Sequence, residues 1–133
     1  MVVFGFDVGH KKTGVAIGNL LTGHARPFTT ITGGRTQQLQ RAAEQIKVWR
    51  PRRLIIGLPK HMDGKEHAMS KNARVFARLL GESCGLPVSF CDERLSTDAA
   101  RREEGQNAQM DSVAASIILQ DWLQQQERHK SND

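Results

Sequence analysis

Val2-Val3-Phe4-Gly5-Phe6-Asp7-Val8-Gly9-His10-Lys11-Lys12-Thr13-Gly14-Val15-Ala16 is the stretch that decides the fold. An apolar run ends in a carboxylate, with a glycine just beyond it. Polar residues follow, and Gly14 then starts a second apolar run. The pattern predicts a strand, a tight turn and a second strand. Asp7 falls at the end of a buried central strand, where a charge is costly unless a cation or several hydrogen bonds compensate it. Gly9 lets a ligand or another chain segment approach the backbone. Lys11 and Lys12 put positive charge on the same turn.

The remaining chain supplies a sheet for that hairpin. Strands are expected over residues 2–8, 13–21 and 25–32, forming a three-stranded antiparallel meander that Gly33-Gly34 ends. Residues 36–49 carry Leu39, Ala42, Ala43, Ile46 and Trp49 at helical spacing, and Pro51 closes that helix. The continuous apolar run at 53–58 fits a strand buried on both faces, stopped by Pro59. A polar loop is expected over 60–69, then a helix over 70–83 with Ser70 as its N-cap. A fifth strand over 87–91 leads into Asp92-Glu93-Arg94. A short charged helix from Ser96 to about Glu104 and a last helix over 110–125 complete the order. The result is an α/β fold, a mixed five-stranded sheet of an antiparallel meander plus two parallel strands, flanked by helices. Residues 1–123 read as one domain. Residues 124–133 read as a polar, frayed or disordered tail.

The chain has 133 residues, enough for one domain with a real core, and a net charge of +5 with a pI near 9.7. That charge points first to nucleic acid as a partner, although a solvated basic surface explains it equally well. No stretch reaches the ~20 apolar residues of a membrane span. The N-terminus has no basic leader region, so a cytoplasmic protein with reduced cysteines is expected. Tyrosine is absent and aromatics are 5% of residues, which argues against a stacking platform for single strands. Gly57-Leu58-Pro59 lacks the Gly-Lys-Ser/Thr ending of a Walker loop. His10, His61 and His67 read as loop histidines, and Asp63-Gly64 as turn chemistry.

Three acids stand at informative places. Asp7 ends the first strand, Glu93 follows the fifth, and both belong to the carboxyl edge where such sheets bind ligands. Asp111 opens the last helix. At about 100° per residue, Ala115, Ile118 and Trp122 lie within about 40° of it, so Asp111 is expected on the face turned to the sheet. A helix-start acid stabilised by the helix dipole is the competing explanation. Carboxylates with no cysteine or histidine among them are hard oxygen ligands suited to Mg²⁺ or Mn²⁺. Such ions can activate water against a phosphodiester. Lys11, Lys12, Lys60, Arg94, Arg101 and Arg102 are the candidates for holding phosphates. For any one of them a solvated surface charge is the more ordinary reading.

Taken together, Asp7-x-Gly9-x-Lys11-Lys12-x-Gly14-Val15-Ala16, Gly57-Leu58-Pro59 with Asp63-Gly64, Asp92-Glu93-Arg94-Leu95-Ser96-Thr97 and Asp111-x-x-Ala114-Ala115-x-Ile117-Ile118-Leu119-Gln120 resemble the YqgF (RuvX) family over residues 2 to 123. That family belongs to the ribonuclease H-like superfamily and is related to the RuvC resolvases. The resemblance implies a metal-dependent nuclease with Asp7, Glu93 and Asp111 as its acidic triad. It implies action on the 5′ end of pre-16S rRNA, with ribosomal precursor particles as a partner, or Holliday junction resolution. Lys12 stands where the family usually has arginine, and Ser96 where it usually has threonine. Unlike RuvC-type enzymes, the fourth strand ends without an acid, so Glu93 must supply that ligand. Junction resolution needs two opposed sites and hence a homodimer, whereas RNA processing is open to a monomer. A non-catalytic ribosome-assembly or transcription factor is the alternative from another class.

Overall fold

The computed structural model describes residues 1–60, 63, 65, 67–94 and 108–131. Strands β1 (Val2–Asp7), β2 (Lys12–Asn19) and β3 (His24–Thr32) are followed by helix α1 (Arg35–Trp49), β4 (Leu54–Lys60), α2 (Ala68–Cys84), β5 (Val88–Arg94) and α3 (Ala108–Ser131). They form one sheet of five strands in the order β3-β2-β1-β4-β5. β1 pairs antiparallel with β2 and parallel with β4, as the meander-plus-crossover reading requires. β4 and β5 are parallel. No helix among the described residues is long and apolar enough to cross a membrane.

Strand alternation divides the core between the two faces. Phe4, Phe6, Leu54, Ile56 and Leu58 turn to α1 and α2, where Phe76, Leu80, Ala42 and Ile46 cover them. Val3, Ala16, Ile55 and Cys91 turn the other way, against Ala115, Ile118, Leu119 and Trp122 of α3. Two anchors hold α3 at the hairpin end. The Ala25 N–H donates to Gln120 Oε1 at 2.9 Å, and Gln120 Nε2 donates to the Gly23 carbonyl at 2.8 Å.

Four of the boundary differences from the sequence reading bear on packing or on the site. β4 runs through Pro59 to Lys60, because β1 has ended at Asp7 and no strand there needs the missing proline N–H. β5 runs on to Arg94, so Asp92 and Glu93 are strand residues and alternate between faces. His67, not Ser70, caps α2: its Nδ1 accepts from the Met69 N–H at 3.1 Å. Ser70 is instead buried, with its hydroxyl donating to the Pro59 carbonyl. α3 continues to Ser131, well past residue 125, so residues 124–131 are helical and not a frayed tail. Gln124-Gln125-Gln126-Glu127-Arg128 contains no breaker, and its polarity marks a solvated surface and not a helix end. The charged helix expected over 96–104 lies outside the described residues.

The turn between β1 and β2 is fixed by a polar residue that the sequence does not flag. Gln38, on the inner side of α1, is 1% exposed. Its Nε2 faces the carbonyls of Gly33, His10 and Gly9 at 3.0, 3.1 and 3.4 Å. Its Oε1 accepts from the Thr13 hydroxyl, whose oxygen in turn accepts from the Gly9 N–H at 3.2 Å. Gln38→Ala is expected to lower stability by about 3 kcal/mol in urea unfolding, since it orphans several buried groups at once and leaves a cavity. An unchanged unfolding midpoint would show that the network is not holding the turn.

Candidate active site

Register places the three acids. In β1, Asp7 lies directly opposite Gly14 of β2. One residue past the Phe6–Ile56 pair, Asp7 and Gly57 of β4 fall in one row, and Gly57 is paired with Cys91 of β5. All of these face α3. Glu93, two residues beyond Cys91, alternates to the same face, and Asp92 to the other. The strand spacing of about 4.8 Å puts β5 roughly 10 Å from β1, with β4 between them.

Asp111 reaches this face because β2 carries no side chain where α3 begins. A Cβ at Gly14 would lie 1.9 Å from the Asp111 carbonyl oxygen. The first turn of α3 therefore rests on the backbone at the residue opposite Asp7. Asp111 Oδ2 is buried and makes no hydrogen bond. It is ion-paired with the Lys12 ammonium, 3.2 Å away. A buried carboxylate oxygen without a hydrogen bond is uncommon and calls for an explanation.

Glu93 sits in different company. Its Oε1 is 3.7 Å from the Cys91 thiol, and Asp121 Oδ2 of α3 is 3.8 Å from the same sulfur. Among the described residues, Cys91, Glu93 and Asp121 form the set of three potential ligand atoms lying within 4.8 Å of one another. Burial, then the charges of Glu93 and Asp121, pushes the Cys91 thiol up to about 12. Cys91 therefore stays protonated at neutral pH and acts as a weak donor to its two acids. Sequence reasoning missed Asp121; the only available sign was its place beside Trp122 on the helix.

The expected phosphate-holding residues divide. Lys12 lies beside Asp111. The Lys60 ammonium donates to Asp92 at 3.0 Å, on the sheet face away from α3. Lys11 is exposed on the turn. Arg101 and Arg102 lie outside the described residues, as does the side chain of Arg94.

The solved structures similar in fold include *Thermus thermophilus* RuvC in complex with a Holliday junction substrate, at a TM-score of 0.61 and 18% identity over 96% of each chain. The fowlpox virus Holliday junction resolvase follows at 0.53, with 13% identity over 90% of this chain and 94% of that one. The sheet order, the layering and this likeness define the ribonuclease H-like class. A family model described as "RuvX: Holliday junction resolvase" matches residues 1–125, and the chain belongs to that family of nucleases. Its relatives include a *Bordetella pertussis* protein, 43% identical over 89% of this chain and 90% of its own. A *Legionella pneumophila* (strain Lens) protein is 42% identical over 95% and 97%. Both bear the name "Putative pre-16S rRNA nuclease".

Proposed function

We propose that this protein is a divalent-metal-dependent nuclease that matures the 5′ end of precursor 16S rRNA, with Asp7, Glu93 and Asp111 as its metal-holding acids. The observation that carries the reading is the buried Asp111 Oδ2, without a hydrogen bond and seated through Gly14 beside the row of Asp7. An acceptor in that state fits a cation. Carboxylate oxygens select hard ions, so Mg²⁺ or Mn²⁺ is the choice.

Bound there, such ions supply an activated water and neutralise charge on the leaving oxygen. The chain's own residues do the rest. α3 and the sheet hold the acids on opposite walls. The Lys12 ammonium balances the Asp111 charge. Lys11, exposed on the same turn, adds positive charge for the incoming phosphates. The relatives' name, pre-16S rRNA nuclease, favours RNA as substrate; action on precursor ribosomal particles in the cytoplasm is part of the proposal. The description of the family model favours a second reading, junction resolution by a dimer.

The deciding experiment sets a precursor 16S 5′-end RNA beside a four-way DNA junction, with Mg²⁺ or Mn²⁺ and an EDTA control. Cleavage of the RNA alone, lost with EDTA, is the expected result. Cleavage of the junction alone transfers the activity to DNA. Metal-independent binding without cleavage of either leaves a nucleic-acid-binding factor and sinks the nuclease assignment.

A further inference from the structure

On the far side of the β1–β2 turn from the acids lies an open-mouthed cavity of about 230 Å³. Gly9 and His10 of the turn form one wall. Arg35 and Gln38 of α1 form the second, and Asn72 and Phe76 of α2 the third. None of the described residues lining it is acidic.

Its chemistry is that of a donor site. The turn carbonyls, whose negative ends would repel an anion, converge on Gln38 Nε2. Asn72 Oδ1 accepts from Arg35 Nη2, which fixes the guanidinium and turns the Asn72 amide nitrogen into the group on offer. The other guanidinium N–H groups and the His10 ring add further donors. Phe76 is 2% exposed, so the cavity offers no aromatic face for a base to stack on. A guanidinium held in place beside neutral donors recognises a phosphate. Asp7 and Gly9 are two residues apart, about 7 Å along the chain, so acids and cavity flank a single turn.

We propose that this cavity holds a backbone phosphate of the substrate strand, next to the phosphodiester lying on the acids, with Arg35 as its principal ligand. The proposal rests on the nuclease reading and adds a subsite to it. Arg35 positions the strand and does not touch the reacting atoms.

The test measures binding by EDTA-treated protein to the precursor 16S 5′-end RNA and, in a parallel arm, to the four-way DNA junction. Salt is varied from about 50 to 200 mM. Arg35→Ala is expected to weaken binding about 5- to 10-fold. The slope of log K against log salt should fall by about 0.7 to 0.9, the value of one phosphate contact. With metal present, KM rises by a similar factor and kcat stays within about 2-fold. Arg35→Lys keeps the slope and recovers only part of the affinity, because it lacks the planar fork. Asn72→Asp weakens binding by placing a carboxylate against the phosphate. Arg78→Ala, exposed on α2 outside the cavity, matches the wild type. An effect confined to one arm names the polymer whose phosphate is held. A wild-type slope and KM for Arg35→Ala, with wild-type protein cleaving normally, overturns the cavity assignment alone. A wild-type protein that neither binds nor cleaves either polymer overturns the nuclease reading and the subsite with it.

Discussion

Asp7→Asn is expected to lower kcat for metal-dependent cleavage by at least about 10³-fold, or about 4 kcal/mol of barrier. The substitution keeps the shape of the side chain and removes the charge that would hold a cation at the end of β1. The strand itself is held by its ladders to β2 and β4, which the change does not touch. The metal-free variant should therefore unfold within about 1 kcal/mol of wild type. A second readout separates lost metal from lost chemistry. Mn²⁺ at about 100 times its Kd should stabilise the wild-type protein by about 2.7 kcal/mol, and Asp7→Asn should lose most of that gain. Asp111→Asn should behave alike, and the double variant should cost little more than either single one if, as proposed, the two carboxylates serve one site. An Asp7→Asn protein that cleaves at the wild-type rate would sink the assignment of the site.

Asp7 and Asp111 stand out in the sequence as candidate acids because each breaks an apolar pattern. Asp7 ends a strand whose residues 3–6 are buried, and Asp111 sits on a helix stripe whose other members, Ala115, Ile118 and Trp122, are buried in the fold. Other features gave no such break. Gln38 lies on a helix rich in polar residues, so one more glutamine reads as solvated, although it is among the most buried side chains of the fold. Pro59 and the charged Asp92-Glu93-Arg94 read as strand stops. They continue as strand because β4 outlasts β1 and the two parallel strands pair with each other to their ends. That pairing is a tertiary fact. It determines that Glu93, and not Asp92, faces α3. The neighbourhood of Asp121 and Cys91 is hidden for the same reason: residues thirty apart meet only once α3 has crossed the sheet. The sequence also shows the glycines without saying what presses against them.

Of those glycines, Gly14 should tolerate a methyl group least. In Gly14→Ala the new Cβ would lie 1.9 Å from the Asp111 carbonyl oxygen, 2.3 Å from its carbon and 2.9 Å from the Ser112 nitrogen. All three are backbone atoms, so no rotamer change relieves the clash. The first turn of α3 has to lift. Downstream it cannot slide to make room, because Leu119 packs on Gly5 and Gln120 is tied to both Gly23 and Ala25. Overpacking of this kind costs about 3 kcal/mol, read as a lower urea midpoint. Lifting that turn also carries Asp111 away from the row of Asp7. A displacement of about 1 Å is enough to cost about 10²-fold in rate, so activity should fall even at temperatures where the variant is fully folded. Two other glycines calibrate the effect. At Gly57 the added Cβ meets the Ile118 Cδ1 at 2.5 Å, the far end of a flexible side chain, and Gly57→Ala should be milder in both readouts. At Gly34 nothing lies within 4 Å, and Gly34→Ala should stay within about 1 kcal/mol of wild type with full activity. If Gly14→Ala ranks with Gly34→Ala, α3 does not rest on β2 at this point, and the placement of Asp111 beside Asp7 falls with it.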